Sequence, residues 1–300
     1  GNTGVTSSCV SPSDTVSPAS PLVFTCIYGC IVALGLPLNV VSLWILLRHH
    51  GRKSPSAVFM VNLAISDLLL IISLTVKVIF YASESWNPGN MLCVWFVMLF
   101  RNNIRTSSIF ITFISVDRLL AVVYPLRSRL VRTSANAVKG SVLVWLIVVL
   151  VNVPESVGFL RTIDNHTCFD PDSVNGTNDI HEETLERTIG YFQLVLLLTM
   201  LVINIVSTAM VSCTLQRHLS ESAKVNNKLN VMLIFVMNLM MFIVFFLPVS
   251  LVVFFHHLRP VLSCLASVNC CLDPLLYYFS FDGFWKRKED VETSLASRGT

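Results

Sequence analysis

Seven apolar runs, near residues 22–47, 56–82, 91–123, 137–160, 187–215, 229–257 and 261–280, take up most of the chain. Most exceed the ~18 residues that a helix needs to cross the hydrocarbon core of a bilayer. Charged residues make up 13% of the sequence and hydrophobic ones 54%, with a mean hydropathy of +0.69. A soluble domain carries about a quarter charged residues, so the chain reads as an integral membrane protein. The expected fold is all-α, a bundle of seven transmembrane helices over residues 21–280. Residues 1–20 are polar and rich in Ser, Thr and Pro, which predicts an extracellular arm; no cleavable signal peptide is visible, and the first helix can serve as its own insertion signal. Residues 281–300 open with Phe281-Asp282-Gly283-Phe284-Trp285-Lys286-Arg287-Lys288, a pattern suited to a short amphipathic helix on the inner leaflet followed by a cytoplasmic tail.

Basic residues orient the bundle. With the N-terminus outside, the inner segments hold fourteen Lys and Arg, clustered at Arg48, Arg52 and Lys53, at Arg127, Arg129 and Arg132, and at Lys286, Arg287 and Lys288. The outer segments hold three, Arg161, Arg187 and Arg259, while Asp and Glu crowd residues 164–186. This is a strong positive-inside bias and predicts a multi-pass plasma-membrane protein. The net charge of +3 is therefore a topology signal that meets anionic lipid, and it gives no reason to expect a nucleic-acid partner.

The outer side carries two glycosylation acceptors, Asn165-His166-Thr167 and Asn175-Gly176-Thr177, with the modified residues Asn165 and Asn175. Of nine cysteines, Cys26, Cys30, Cys213, Cys264, Cys270 and Cys271 lie in apolar segments and read as small hydrophobes. Cys93 opens the third helix on the outer side and Cys168 lies in the second outer loop, where an oxidising compartment permits a disulfide. Cys9 has no evident partner.

Charge inside the membrane marks the functional region. A lone cation at the bilayer centre costs roughly 2.5–3.5 kcal/mol on insertion scales, so such residues usually face a polar cavity. Arg101 and Arg105 share one face of the third helix, and Lys77 lies on the second. Phosphate or carboxylate suits a guanidinium fork. The competing reading pairs one arginine with Glu155, but three bases against one acid leave positive charge over. Asp67 is a mid-membrane carboxylate and needs partners of its own.

An ordered set of motifs runs through the chain: Gly35-Leu36-Pro37-Leu38-Asn39, Asn62-Leu63-Ala64-Ile65-Ser66-Asp67, Asp117-Arg118-Leu119, Trp145, Phe245-Phe246-Leu247-Pro248 and Asn269 with Asp273-Pro274-Leu275-Leu276-Tyr277. Together they resemble the class A (rhodopsin-like) G-protein-coupled receptors. The segments Gly35–Leu47, Ile114–Arg129 and Asn269–Ser280 are most similar to the branch of the lysophosphatidic acid receptors, with purinergic nucleotide, protease-activated and hydroxy-carboxylic acid receptors as neighbours.

The resemblance implies roles. Asn39, Ser107, Asn269 and Asp273 match the family's polar cluster around Asp67, which holds an allosteric sodium ion; Asp273 replaces the commoner Asn. Asp117 is expected to hold Arg118 in an ion pair that activation releases toward a heterotrimeric G protein, with Leu119 in place of the commoner Tyr. Phe246 matches the rotamer switch, Pro248 the hinge of helix six, and Pro274 with Tyr277 the switch of helix seven. Helix five departs from the family, with Met200 where a Pro is common and Thr208 replacing a Tyr. The implied pocket for an extracellular anionic lipid or small molecule combines Lys77, Arg101 and Arg105 with apolar walls at Phe100, Phe192 and Phe254, and with His256 and Arg259 at its rim. A small carboxylate, a nucleotide and high ligand-free activity are the alternatives within the class.

Rival classes lack their signatures. A seven-helix transporter would show internal repeats and broken helices, and an intramembrane enzyme a nucleophile–base or metal constellation; the sequence displays none of these. Only 26 residues separate Pro248 from Pro274, too few for two outer half-helices of ~12 residues and a loop. A stretch near His257–Pro260 is therefore expected to be missing from the chain.

Overall fold

Each of the seven apolar runs is a helix in the computed structural model, which describes residues 21–50, 54–83, 89–162, 180–217, 225–251, 254–255 and 258–277. The helix α1 (Pro21–Ile45) closes in a π-helical turn at Leu46–His50, and α2 (Pro55–Ala82), α3 (Asn90–Val123), α4 (Ser134–Thr162) and α5 (Ile180–Arg217) follow. α6 starts as Val225–Met241, widens into a π-helical segment over Phe242–Phe246 and ends with Leu247–Ser250. α7 starts as Arg259–Ser267 and passes a turn at Val268 to complete the span Arg259–Tyr277.

Local chemistry fixes the ends and bends that position the site. Ser54 caps α2, its hydroxyl accepting from the Ala57 N–H at 3.2 Å, and Pro55 takes the first helical position, where no donor is needed. Gly89, at φ +78°, provides the left-handed turn into α3. Pro154 lies inside α4, one residue before Glu155, and cannot bond the Leu150 carbonyl. Pro248 likewise leaves the Val244 carbonyl without its usual donor. The backbone above it adapts, with the Leu247 N–H reaching five residues back to the Phe242 carbonyl.

Burial sorts the helices. Two thirds of the apolar window of α2 and half of those of α3 and α7 are inside the bundle, against 22% for α1 and α4. Leu63, Leu70 and Leu74 of α2 meet Phe110, Ile111 and Ile114 of α3, and Phe242 and Phe246 of α6 complete the core with Leu276 and Tyr277 of α7. Leu34, Val41 and Trp44 on α1, Leu146 and Leu150 on α4, and Val195 and Val202 on α5 are exposed. Such apolar stripes on the outer helices belong against lipid. Gly35 lets α1 approach closely, since a Cβ there would lie 3.2 Å from the Cys270 sulfur and 3.3 Å from Ile71 Cδ1.

The α6–α7 connection, where a missing stretch is expected, starts early on α6. That helix does not continue for an outer half; it stops at Ser250, two residues past Pro248, and α7 begins at Arg259. The Phe254 and Phe255 N–H groups both bond the Leu251 carbonyl, at 2.9 and 3.1 Å. The arm (1–20), the amphipathic helix and tail (281–300), and His256, Cys168, Asn165 and Asn175 lie outside the described residues. Cys93 is disulfide-bonded.

Candidate functional site

Arg101 and Arg105 are one turn apart on α3, so their side chains leave the helix together, and they meet α4. Glu155 sits between them with one carboxylate oxygen on each guanidinium: Arg101 Nη1 donates to Oε1, and Arg105 Nη2 to Oε2 at 2.7 Å. Arg105 also donates to Asn152 Oδ1 at 2.6 Å and reaches Gln193 Oε1 on α5 at 3.5 Å. Asn152 in turn donates to Asn102 Oδ1 on α3. The expectation of uncompensated arginines is therefore corrected: a guanidinium buried this deeply is tolerated only with a carboxylate partner. The compensation is partial, because two cations share one anion. Access is also unequal, with the Arg105 and Glu155 side chains 6% exposed and Arg101 24%.

Lys77 occupies a different subsite. Its Nζ lies 4.4 Å from the ring centroid of Phe100 and 5.4 Å from that of Tyr28, a cation held between two aromatic faces. Tyr28 stacks in turn on Phe24 and Tyr81. Phe100 precedes Arg101 by one residue, about 100° around the helix, so the three bases line two walls rather than one. Of the proposed apolar walls, Phe100 is buried under Lys77, while Phe192 and Phe254 are more than half exposed. Phe254 touches Tyr191 edge-on at 5.9 Å, and neither it nor Phe192 joins the arginine cluster. Arg259 opens α7 and is partly exposed. On the α4 side, Arg101 lies over Phe159 at 5.9 Å.

One level deeper lies the cluster around Asp67. Asn103 on α3 is its organiser, donating to Asp67 Oδ1 at 2.9 Å and lying within 3.2 Å of the Ser66 hydroxyl and 3.1 Å of the Ser107 hydroxyl. Ser66 and Thr106 share a hydrogen bond of 2.5 Å. Asn269 donates to Asp273 Oδ2 at 2.9 Å, and Asp273 neighbours Asp67. Asn39 bonds the Gly35 and Cys270 carbonyls at 3.0 and 2.7 Å, tying α1 to α7. The second carboxylate oxygens of Asp67 and Asp273, the amide oxygens of Asn39 and Asn269 and the Tyr277 hydroxyl are buried with no hydrogen-bond partner. Oxygens of this kind are the ligands that a hard cation takes.

At the inner mouth the expected Asp117–Arg118 pair is replaced. Arg132, from the loop after α3, takes both oxygens of Asp117, Nε to Oδ1 at 2.8 Å and Nη2 to Oδ2 at 3.1 Å. Ser56 of α2 donates a further bond to Oδ2. Neighbours along a helix do not face each other, whereas the 3₁₀ turn Arg127–Leu130 carries Arg132 back beneath α3. Arg118 is left with its Nε buried and without a hydrogen-bond partner. Phe246 is fully buried and packs edge-to-face on Phe242 at 5.4 Å. Pro274 falls within α7 one turn before Tyr277, which is buried.

Sequence reasoning missed Asn103, Asn152, Ser56 and Arg132. The signal for Asn103 was present, since it precedes Ser107 by one turn on the same face of α3. Arg132 carried none, because only the fold of the loop brings it to Asp117.

The sequence model of the family described as 7 transmembrane receptor (rhodopsin family) matches residues 38–277. Lysophosphatidic acid receptor 4 of Homo sapiens is 31% identical over 280 residues, which is 87% of this chain and 75% of that protein. Lysophosphatidic acid receptor 6 of Gallus gallus is 30% identical over 281 residues, covering 86% of this chain and 90% of the relative. Proteinase-activated receptor 1 of Xenopus laevis is 32% identical over 271 residues, covering 85% and 63%.

Proposed function

This chain belongs to the rhodopsin family of seven-transmembrane receptors, in the branch of the lysophosphatidic acid receptors, and from that premise we propose that its ligand is an extracellular lysophospholipid-like anion. It is a multi-pass receptor of the cell surface that signals rather than catalyses. The headgroup docks on Arg101, the more accessible of the paired guanidinium groups, with Arg105 behind it. The observation that carries this reading is the charge balance of the cluster, two cations, one buried and one partly exposed, on one carboxylate. Lys77, between Phe100 and Tyr28, forms a second cationic wall with an aromatic lining, suited to the glycerol and the start of an acyl chain. The distribution of basic residues supports an extracellular arm.

Ligand binding acts as a population shift. The receptor state that accommodates the anion is the one in which α6 swings about Pro248 and Phe246, exposing Arg118 to a heterotrimeric G protein. The oxygens around Asp67 and Asp273 fit a sodium ion, with Asn39, Asn269 and Ser107 as neighbouring ligands. Such an ion supplies positive charge between two acids and holds the inactive arrangement.

The experiment is guanine-nucleotide exchange in membranes, with 1-oleoyl lysophosphatidic acid, oleic acid, a nucleoside diphosphate and uncharged monooleoylglycerol. The lysophosphatidic acid is expected to activate, and Arg105→Ala to reduce its potency about tenfold or more, the scale of one charge-assisted hydrogen bond. Unchanged potency in both Arg101→Ala and Arg105→Ala overturns the assignment.

A further inference from the structure

Glu155 is a costly residue to keep where it stands. It follows a proline in the middle of a lipid-facing helix, is 6% exposed, and is the only carboxylate among the described residues that pairs with Arg101 or Arg105. Replacing it by a neutral residue would leave two guanidinium groups side by side on one helical turn, a site of charge +2. With it, the cluster carries +1, and both carboxylate oxygens occupy N–H positions that an incoming anion would use.

The two halves of this arrangement are not equivalent. Arg105 is locked by three partners, Glu155, Asn152 and Gln193, and Asn152 is itself held by Asn102. Arg101 has Glu155 as its one hydrogen-bonding partner among the described residues, is four times more exposed than Arg105, and rests against the face of Phe159. A headgroup arriving from outside therefore meets Arg101 first, and meets Glu155 already on it.

We propose that Glu155 is a resident competitor for the ligand's headgroup, a built-in anion that leaves Arg101 when the ligand binds and that sets the receptor's preference among anions. This rests on the reading that an anionic lipid docks at Arg101 and Arg105. Displacement leaves the carboxylate on Arg105, so no charge is stranded. It also discriminates, because a phosphate monoester, with nearly two negative charges near neutral pH, outcompetes one carboxylate for a guanidinium better than another carboxylate does. The threshold against fatty acids, which are abundant monoanions, follows directly. Releasing Arg101 from α4 changes the α3–α4 contact, so headgroup recognition is coupled to helix position.

The test measures potency in nucleotide exchange for 1-oleoyl lysophosphatidic acid, oleic acid and monooleoylglycerol on wild type, Glu155→Gln and Glu155→Asp, with surface expression counted for each. Glu155→Gln is expected to raise the potency of both anions about tenfold or more, with the larger gain for oleic acid, and to leave monooleoylglycerol unchanged. Glu155→Asp keeps the charge but is too short to span both guanidinium groups, and is expected to give an intermediate gain for the anions. Should Glu155→Gln fail to reach the surface, Glu155→Asp decides alone. Unchanged or reduced anion potency in whichever variants reach the surface makes Glu155 a structural ion pair and overturns the proposal. If wild type responds to lysophosphatidic acid and Arg105→Ala weakens that response, the docking reading stands while the competitor fails. A wild type unresponsive to either anion removes both.

Discussion

Single side chains decide how the buried charge in this bundle is tolerated. Asn103 is the clearest case, with its amide nitrogen at 2.9 Å from Asp67 Oδ1 and close to the hydroxyls of Ser66 and Ser107. Removing a donor from a buried carboxylate costs about 1.5–3 kcal/mol. Asn103→Ala should therefore lower the unfolding temperature of the detergent-solubilised receptor by several degrees. Asn103→Ser, which keeps a donor on a shorter stem, should recover part of the loss. Scanning fluorimetry on the two purified variants checks this, and equal unfolding temperatures for Asn103→Ala and wild type would refute it. At this scale the sequence was legible as chemistry and illegible as partnership. Asp67, Arg101, Arg105 and Glu155 stand out as charges in apolar runs, yet which of them meet depends on helix rotation and register. Phe100 and Arg101 are adjacent in the chain but look in different directions, so the expected single pocket divides between the α4 side and the Lys77 side.

Elements supply the partners that residue types alone do not reveal. The connection between α3 and α4 places Arg132 on both oxygens of Asp117, and α2 adds Ser56. Asp117 therefore holds the loop rather than Arg118. Deleting the loop's claim should return the carboxylate to its neighbour: Arg132→Ala is expected to lower ligand-free nucleotide exchange about threefold, the scale of a partly exposed ion pair. Asp117→Asn, which gives up the Arg132 pair and offers Arg118 no carboxylate, should not lower it. A rise of basal exchange in Arg132→Ala would reverse the assignment. Hydropathy made the seven helices legible because each must satisfy its own backbone within lipid. It could not locate the end of α6, because Phe242–Val249 is uniformly apolar whether the backbone there is α-helical, π-helical or ending. The proline was visible; the five-residue hydrogen bond that absorbs it was not.

Across the whole molecule, the arginine cluster and Arg118 lie in opposite halves of α3, and between them Asn238 of α6 donates to the Ser115 hydroxyl of α3 at 2.7 Å. The π-helical segment of α6 and the termination just after Pro248 concentrate backbone irregularity at the level of Phe246. Restoring the missing donor should stiffen that level. Pro248→Ala is expected to reduce the maximal ligand-stimulated exchange severalfold while leaving half-maximal competition by lysophosphatidic acid within about twofold of wild type, since the cluster itself is untouched. Paired dose–response and binding curves on the same membranes read both quantities. Equal maxima would mean that the bend is not the hinge. The membership of the chain in its receptor family was legible from motifs spread over six helices, because those motifs lie where the helices converge.

Gly35 gives this mechanics a fixed reference. With no side chain at that position, α1 lies directly on Cys270 of α7, and the amide of Asn39 clasps the Cys270 carbonyl one turn further along. The two helices are riveted together at the same depth as the acidic pair. That joint is expected to stay fixed while the lobe on its far side carries the strokes of signalling.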